Sequence, residues 1–513
     1  MALIGLKAQR LGVDYCHRRR EWQDDVAKLS VSAEELEMTN APVLTIGSRL
    51  ELFIDDYMID QLGGKAEVRL HHPEAKEIAI SHDRGWEGWH SIHHSIFKDG
   101  DLYRMYYRGG GCWAYAESDD GIRWRKPELG LYEYGTRKSK NNNIVIQNAG
   151  NKAFFKDENP DIPPDERYKA LQLGPLGSRE ERQEAKFGLY ALKSADGIHW
   201  EPMSPEPVIA DGKFDSMNLA FWDSERGEYR AYWRIYPEEI RSIRTARSKD
   251  FIHWEDQADL RYVDSPKEQL YTSQIKPYYR APHIVVGFPV RYIDRGWSES
   301  MRALPQLQER EERAKEGMER RGTGRAGTAL TESLLMASRD RVTFKRWNEA
   351  FLRPGIERPG TWDYGQQYIA WSLVETESAL EGAPNELSLY ATERYRTGRT
   401  KLRRYTLRID GFVSVSAPMY GGELVTKPLT FTGDKLVLNF SSSAAGGIQV
   451  EILDQDGQPI PGFEIEDSPP IFGDSIERFV SWEGGRELSS LQGKHIRLRF
   501  VLKDADLYSL QFK

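Results

Sequence analysis

Ser118-Asp119-Asp120-Gly121-Ile122-Arg123-Trp124 is a phrase the chain repeats. It returns as Ser194-Ala195-Asp196-Gly197-Ile198-His199-Trp200, as Ser248-Lys249-Asp250-Phe251-Ile252-His253-Trp254, and in weaker form as Ser338-Arg339-Asp340-Arg341-Val342-Thr343-Phe344. Each copy follows a strand-like run, such as Phe187 to Lys193 or Leu334 to Ala337, and leads into another, so Ser-x-Asp-Gly falls where a tight turn is needed. The aspartate can bond the backbone beside it, and glycine tolerates a positive φ. The aromatic three residues after the glycine position is then placed to pack between neighbouring sheets. Turn chemistry that recurs at a spacing of roughly 50 to 90 residues is the signature of radial β units. It predicts an all-β chain with a β-propeller in its middle.

Composition bounds the rest. At 513 residues the chain can hold a large core and more than one domain. Its 14 tryptophans and 25 tyrosines suit propeller packing and a sugar-binding surface equally. Net charge is −8 and the basic residues are dispersed, which predicts no nucleic-acid partner. Two cysteines, Cys16 and Cys112, give neither a disulfide framework nor zinc spacing. No apolar run reaches the length of a membrane span, and Met1 to Arg20 has only a short apolar patch followed by arginines. The expectation is a cytoplasmic protein without a membrane partner, export staying open for a start that has been trimmed or misassigned.

Taken in order, residues 1–47 read as a charged N-terminal arm, 48–415 as a five-bladed propeller and 416–513 as a C-terminal β-sandwich. Leu50 to Ile59, with Asp55 and Asp56 inside it, reads as the strand that closes the ring. The first blade starts near His82, with an inner strand around His90 to Phe97. Further units start near Asn143, Phe214, Glu268 and Trp362, and five units of about four strands fit the length. The fourth is interrupted by 298–321, whose Glu, Arg, Ala and Leu at helical spacing predict a helical insertion between its second and third strands. That insertion should rise on the face that carries the site, as a lid or a subunit contact. Alternating strands and the turn Asp454-Gln455-Asp456-Gly457 support the sandwich.

In a propeller, the start of each inner strand and the loop between the second and third strands meet at one end of the central channel. The inner-strand starts align as Trp86-Glu87, Phe214-Asp215, Lys267-Glu268 and Trp362-Asp363, and Glu332 joins them from a third-strand start. Glu87, Asp215, Glu268, Glu332 and Asp363 are therefore the candidate catalytic carboxylates. Crowded carboxylates cannot all ionise at ordinary pKa, and raised acids beside ionised ones are what glycosidic cleavage uses. The competing reading of each acid is a turn cap or an inter-blade ion pair. Trp86, His93, His94, Asn218, Arg241, Tyr271, Gln274, Arg280, Arg291, Trp362 and Gln366 are the candidate binding residues, with Arg234 and Gln367 beside them. His93 and His94 are adjacent on a strand and face opposite sides, so the pair gives at most one ligand to a site. No cofactor is required by this reading, although there is room for a structural or central divalent ion, and no metal ligand is assigned.

These features together resemble the invertase, levansucrase and arabinanase group of five-bladed propeller glycosidases, above all its invertase-like members with a C-terminal sandwich. Phe214-Asp215-Ser216-Met217-Asn218, Tyr271 to Arg280, and Gly421-Gly422 onward to Lys427-Pro428-Leu429 look like segments of bacterial invertase-like proteins. The resemblance spans about Leu50 to the end and implies a glycoside hydrolase with a carbohydrate partner, in which acids from three blades share the work. By blade position Glu87 matches the first-blade acid and Asp215 the third-blade acid, while the second blade offers Asp157 or Asn148. The chain departs from the group in lacking a Trp-Met-Asn-Asp-Pro, an Arg-Asp-Pro and a Glu-Cys segment. Two other readings stay open: a non-catalytic carbohydrate-binding propeller and a protein-binding scaffold. A homo-oligomer is compatible with each of the three.

Overall fold

The computed structural model describes residues 41–513 except 89, 90, 148, 149, 397 and 398, so most of the expected N-terminal arm and Asn148 lie outside the described residues. Among the described residues two compact units emerge, one of residues 72–408 and one that joins residues 41–71 to 409–513.

The 72–408 unit is a wheel of five blades. Blade 1 is Ile92–Asp99, Leu102–Arg108, Cys112–Ser118 and Ile144–Gln147. Blade 2 is Lys152–Lys156, Tyr168–Leu173, Leu189–Ser194 and Glu201–Pro202, and blade 3 is Leu219–Asp223, Glu228–Ile235, Ser242–Ser248 and Trp254–Asp259. In blade 4, Lys276–Tyr278, Ala281–Gly287, Met336–Ser338 and Thr343–Arg346 run antiparallel, and Arg261–Val263 adds a parallel outer edge. A second hairpin, Val290–Asp294 with Ala329–Ser333, prolongs its second and third strands and carries the helices Glu299–Ala303, Leu307–Arg321 and Arg325–Thr328. The insertion therefore interrupts blade 4 between the strands expected.

Blade 5 is Val374–Thr376, Glu386–Glu393 and Lys401–Leu407, and Glu74–Ser81 supplies its fourth strand. This corrects the expectation that Leu50 to Ile59, with Asp55 and Asp56, closes the ring. Phe53 and Met58 are instead buried in the core of the other unit. Arg404 pins the true closing strand, donating to Glu77 Oε2 at 3.2 Å and to Glu386 Oε1 at 3.0 Å.

The repeated phrase is the turn between third and fourth strands. Ser118 Oγ accepts from Gly121 N at 2.9 Å, Asp120 Oδ1 from Ile122 N and Arg123 N at 2.8 Å, and Trp124 Nε1 donates to Gly121 O at 3.1 Å. The same bonds recur at 194–200 and 248–254. Gly121 and Gly197 have φ of +72° and +80°, and Phe251 and Arg341 take the same left-handed conformation at +70° and +75°. Arg341 has a reason to stand there, because its guanidinium grips Asp223 of blade 3 at 2.6 and 3.0 Å. A tyrosine from the preceding blade reads each of three turns: Tyr106 donates to Gly197 O at 2.9 Å, Tyr232 to Arg341 O at 3.0 Å, and Tyr390 of blade 5 to Gly121 O of blade 1. The last contact crosses the seam of the wheel.

The other unit is a β-sandwich built on two long paired strands, Leu436–Asp454 and Ile496–Phe512, whose register shifts between Ser442 and Gly447. Its core includes Leu424, Phe440, Val450, Leu498 and Phe500, with Phe431 and Phe512 stacked at 3.9 Å. Leu44–Gly47, Glu51–Leu52, Ile59–Gly64 and Glu67–Leu70 pair into the same sheet. The expected boundaries at 47/48 and 415/416 thus fall inside this unit. A cut at 415/416 would split Val413–Ala417, which pairs with Glu67–Leu70 on one edge and Ile496–Phe512 on the other. Unpaired edges are what such exchange of strands removes.

Candidate functional site

The inner-strand starts and second-to-third-strand loops do meet, around a cavity of about 600 Å³. Blade 3 gives Lys213 and Asp215 from its inner-strand start and Tyr236, Glu239 and Arg241 from its loop. Blade 4 gives Tyr271 and Tyr292, its insertion gives Arg313, Glu316, Arg320, Arg321 and Arg325, and blade 5 gives Tyr364 and Arg396. An adjoining space of about 420 Å³ shares Asp215, Tyr271, Arg321, Tyr364 and Arg396 and adds Arg108, Asn151 and Tyr395. The insertion is a wall of the cavity, on the same face as Asp215.

Of the five expected carboxylates, only Asp215 lines this cavity. Its side chain is 72 % exposed and meets Arg234 at its inner edge. Glu87 is fully buried. It lies 2.7 Å from Lys126 Nζ, accepts from Tyr107 at 2.6 Å and from Arg84 N at 2.7 Å, and has His82 Nδ1 at 3.6 Å. Burial by itself would raise its pKa, but His82 and Lys126 outweigh burial and hold it near 2. Glu268 and Glu332 share Arg291, at 3.1 and 2.6 Å, and Glu268 also meets Arg346 at 2.8 Å. Glu332 stands directly across the hairpin from Arg291. Asp363 is buried against Arg313 at 2.6 Å and Arg310 at 3.7 Å, and burial still pushes its pKa up. The anticipated ring of acids is thus dispersed into ion pairs: Lys126 and His82 hold Glu87, strand arginines hold Glu268 and Glu332, and two arginines of the inserted helix hold Asp363.

The binding candidates divide similarly. Arg241 and Tyr271 line the cavity. His93 and His94 are buried in the inner strand of blade 1, and His94 Nε2 lies 3.0 Å from His82 Nε2. Burial, helped by the charges of Arg108 and Arg234, holds His93 near pKa 3. Asn218 is buried and donates to Asn151 O and Phe214 O. Trp86 donates to Asn143 Oδ1 at 2.8 Å, Trp362 to Gly355 O at 2.7 Å, and Gln366 Oε1 accepts from Arg394 N at 3.0 Å. Arg291 is held by its two glutamates. Gln274 lines a different cavity of about 550 Å³ at the other ends of the inner strands, and Arg280 lies in the turn after Lys276–Tyr278, also at that end. Asp157, the alternative second-blade acid, pairs with Lys169 at 2.8 Å.

The sequence reading missed Lys213, Tyr236, Glu239, Tyr292, Tyr364, Arg396 and the arginines of the insertion. For the insertion a signal existed: Arg313, Glu316, Gly317, Arg320 and Arg321 fall at the i, i+3, i+4, i+7 and i+8 positions of one helical face. Glu239 also carries a mark that only coordinates reveal, a φ of +61° following +50° at Glu238. Non-glycine residues held there cost about 1–3 kcal/mol and gather at functional sites. Gln269 braces this loop, donating to Glu239 O at 3.2 Å and accepting from Arg241 N at 3.0 Å.

Chemically, the cavity offers seven arginines and a lysine against three carboxylates, together with a ring of tyrosines. Tyr364 donates to Tyr271 OH at 3.0 Å, and burial raises the Tyr364 pKa well above the usual phenol value, so it stays a neutral donor. Among the described residues no group of three or more His, Cys, Asp or Glu side chains could hold a metal ion, and no helix is long and apolar enough to cross a membrane.

No family model and no curated protein matches this chain. Among solved structures, a thermostable family-43 glycoside hydrolase is similar over 67 % of this chain and 96 % of its own, at 10 % identity and a TM-score of 0.42. The endo-arabinase of Bacteroides thetaiotaomicron is similar over 65 % and 98 %, at 11 % identity and a TM-score of 0.37. A fructofuranosidase from Schwanniomyces occidentalis, complexed with fructosylnystose, is similar over 85 % and 97 %, at 10 % identity and a TM-score of 0.35. The protein is a five-bladed β-propeller joined to a β-sandwich, the architecture that the resemblance in sequence implied, and this rests on its own strand pairings.

Proposed function

We propose that the protein is a glycoside hydrolase that takes a saccharide into the cavity of its 72–408 unit and cleaves it with carboxylates of blade 3. The observation that carries this reading is Asp215, a carboxylate 72 % exposed at an inner-strand start inside an aromatic-lined cavity of about 600 Å³. Glu239, on the strained loop of the same blade, is the second carboxylate. One acid protonates the leaving oxygen while the other acts as base or nucleophile. Tyr271, Tyr292 and Tyr364 offer ring faces and hydroxyls to the sugar.

The test is release of reducing ends from a panel of aryl glycosides and oligosaccharides. Asp215→Asn should lower kcat by about 10³-fold, within the range for a lost acid or base, and Glu239→Gln similarly. An active wild type whose turnover survives Asp215→Asn would sink the assignment. The pairing-off of Glu87, Glu268, Glu332 and Asp363 favours a second reading, a non-catalytic carbohydrate-binding propeller. Saturable saccharide binding by a wild type that releases no reducing ends would establish that reading in its place.

A further inference from the structure

The charge of the cavity runs against the charge of the chain. The protein carries a net −8, yet eight basic side chains line this one space against three acids. Two of the arginines are neutralised locally, Arg234 by Asp215 and Arg313 by Asp363. Among the described residues, Arg241, Arg320, Arg321, Arg325 and Arg396 have no carboxylate partner. The protein supplies tyrosine faces to some of them instead. Arg241 sits 5.2, 5.5 and 4.9 Å from the ring centres of Tyr236, Tyr271 and Tyr292, and Arg396 lies 4.8 Å from that of Tyr364. The Nε atoms of Arg241 and Arg396 are buried without a hydrogen-bond partner.

Guanidiniums held against rings keep their planar fork oriented without being discharged. Like charges gathered in one cavity repel, and a neutral occupant would desolvate them with hydroxyl hydrogen bonds but no counter-charge in return. An occupant bearing carboxylates or sulfates would accept charge-assisted, bidentate hydrogen bonds from them. Resting on the reading of this cavity as a saccharide site, we infer that its ligand is an acidic saccharide with at least two anionic groups, selected by Arg241 and Arg396 on the wheel and by Arg320, Arg321 and Arg325 on the helical insertion. The insertion is then the specificity element, bringing three exposed guanidiniums over a wheel whose blades 3 and 5 supply the other two.

The experiment is calorimetric titration of the full chain with oligosaccharides of matched length: an oligogalacturonate for carboxylates, a chondroitin sulfate oligomer for sulfates and an arabino-oligosaccharide as the neutral arm, each at low and at several-fold higher salt. Inorganic sulfate alone is the control for simple anion binding. One or both acidic arms should bind, with affinity falling as salt rises, and the neutral arm should not. The arm that binds more tightly identifies the anion. Arg320→Ala with Arg321→Ala should weaken binding by about tenfold or more, the loss of a charge-assisted hydrogen bond, while Arg123→Ala on a turn outside the cavity should not change it. Both positions are exposed, so the double variant should keep the wild-type melting temperature. Equal or tighter binding of the neutral arm, affinity indifferent to salt, inorganic sulfate binding as tightly as the oligosaccharides, or an unaffected double variant would each overturn the inference. Cleavage of neutral glycosides through Asp215 with no affinity for acidic ones would overturn it and leave the hydrolase reading standing. Salt-sensitive binding of acidic oligosaccharides without any cleavage would do the reverse.

Discussion

Glu87 and Asp215 occupy equivalent places, each directly after an aromatic residue at the start of an inner strand, and their surroundings make opposite use of the carboxylate. Glu87 is enclosed by Lys126, Tyr107, His82 and the backbone of Arg84, a set of partners that fixes it as an anion. Asp215 faces the cavity with one guanidinium behind it. The alignment of blade starts was legible along the chain, but Lys126 lies 39 residues from Glu87 and no local pattern announces it. The same burial governs stability in acid. His93, held near pKa 3, stays neutral in the fold while the unfolded chain takes up a proton near pH 6.5. Between those values the unfolded state binds more protons, so stability is lost as pH drops through that window, by on the order of a few kcal/mol. Glu87 adds in the same direction at lower pH, its contribution being present above the ordinary carboxylate value and lost as pH drops toward 2. His93→Asn should flatten the fall of melting temperature with pH between roughly 6.5 and 3, asparagine being able to keep the φ of +62° at this site. A variant whose pH profile runs parallel to the wild type would refute this account.

The repeated turn shows how an element can be read from sequence while its contacts stay hidden. Serine, aspartate and glycine announce the turn because their hydrogen bonds are local, within three residues. The tyrosine that reads the turn carbonyl comes from another blade, 91 residues away for Tyr106 and Gly197. Two glycines separate these effects. Gly100, at φ +64°, has open space where a Cβ would stand, so Gly100→Ala should cost only the left-handed penalty of about 1 kcal/mol. At Gly197, with φ +80°, a Cβ would come within 2.5 Å of the Tyr106 hydroxyl. Gly197→Ala should therefore cost about 3 kcal/mol, the same penalty plus the inter-blade hydrogen bond and its displacement. Urea denaturation of both variants checks the ordering, and equal losses would contradict the role given to Tyr106. For the insertion, helical spacing of charge predicted a helix, whereas the orientation of its arginine face depended on the hairpin Val290–Asp294 with Ala329–Ser333 beneath it.

On the scale of the molecule, closure of the wheel depends on Glu74–Ser81, a strand separated from its partner Lys401–Leu407 by more than three hundred residues. Ile80 is buried opposite Leu402 at that seam. Ile80→Ala should cost about 3 kcal/mol of stability, as for other large-to-small changes in a core, and a negligible shift in the denaturation midpoint would argue against the seam as a stabilising contact. By itself the sequence determined the all-β class, the five repeated units, the position of the helical insertion and the places along each blade from which a site is assembled. Those follow from hydrogen bonds and periodicities a few residues long. Only the tertiary structure decided which strand closes the wheel, that the strands between 44 and 70 join the sandwich, and that the cavity is lined by guanidiniums while most of the anticipated acids are neutralised elsewhere. Whether a charge is paired depends on groups brought near by the folded chain, and for a long-range β topology those groups are distant in sequence.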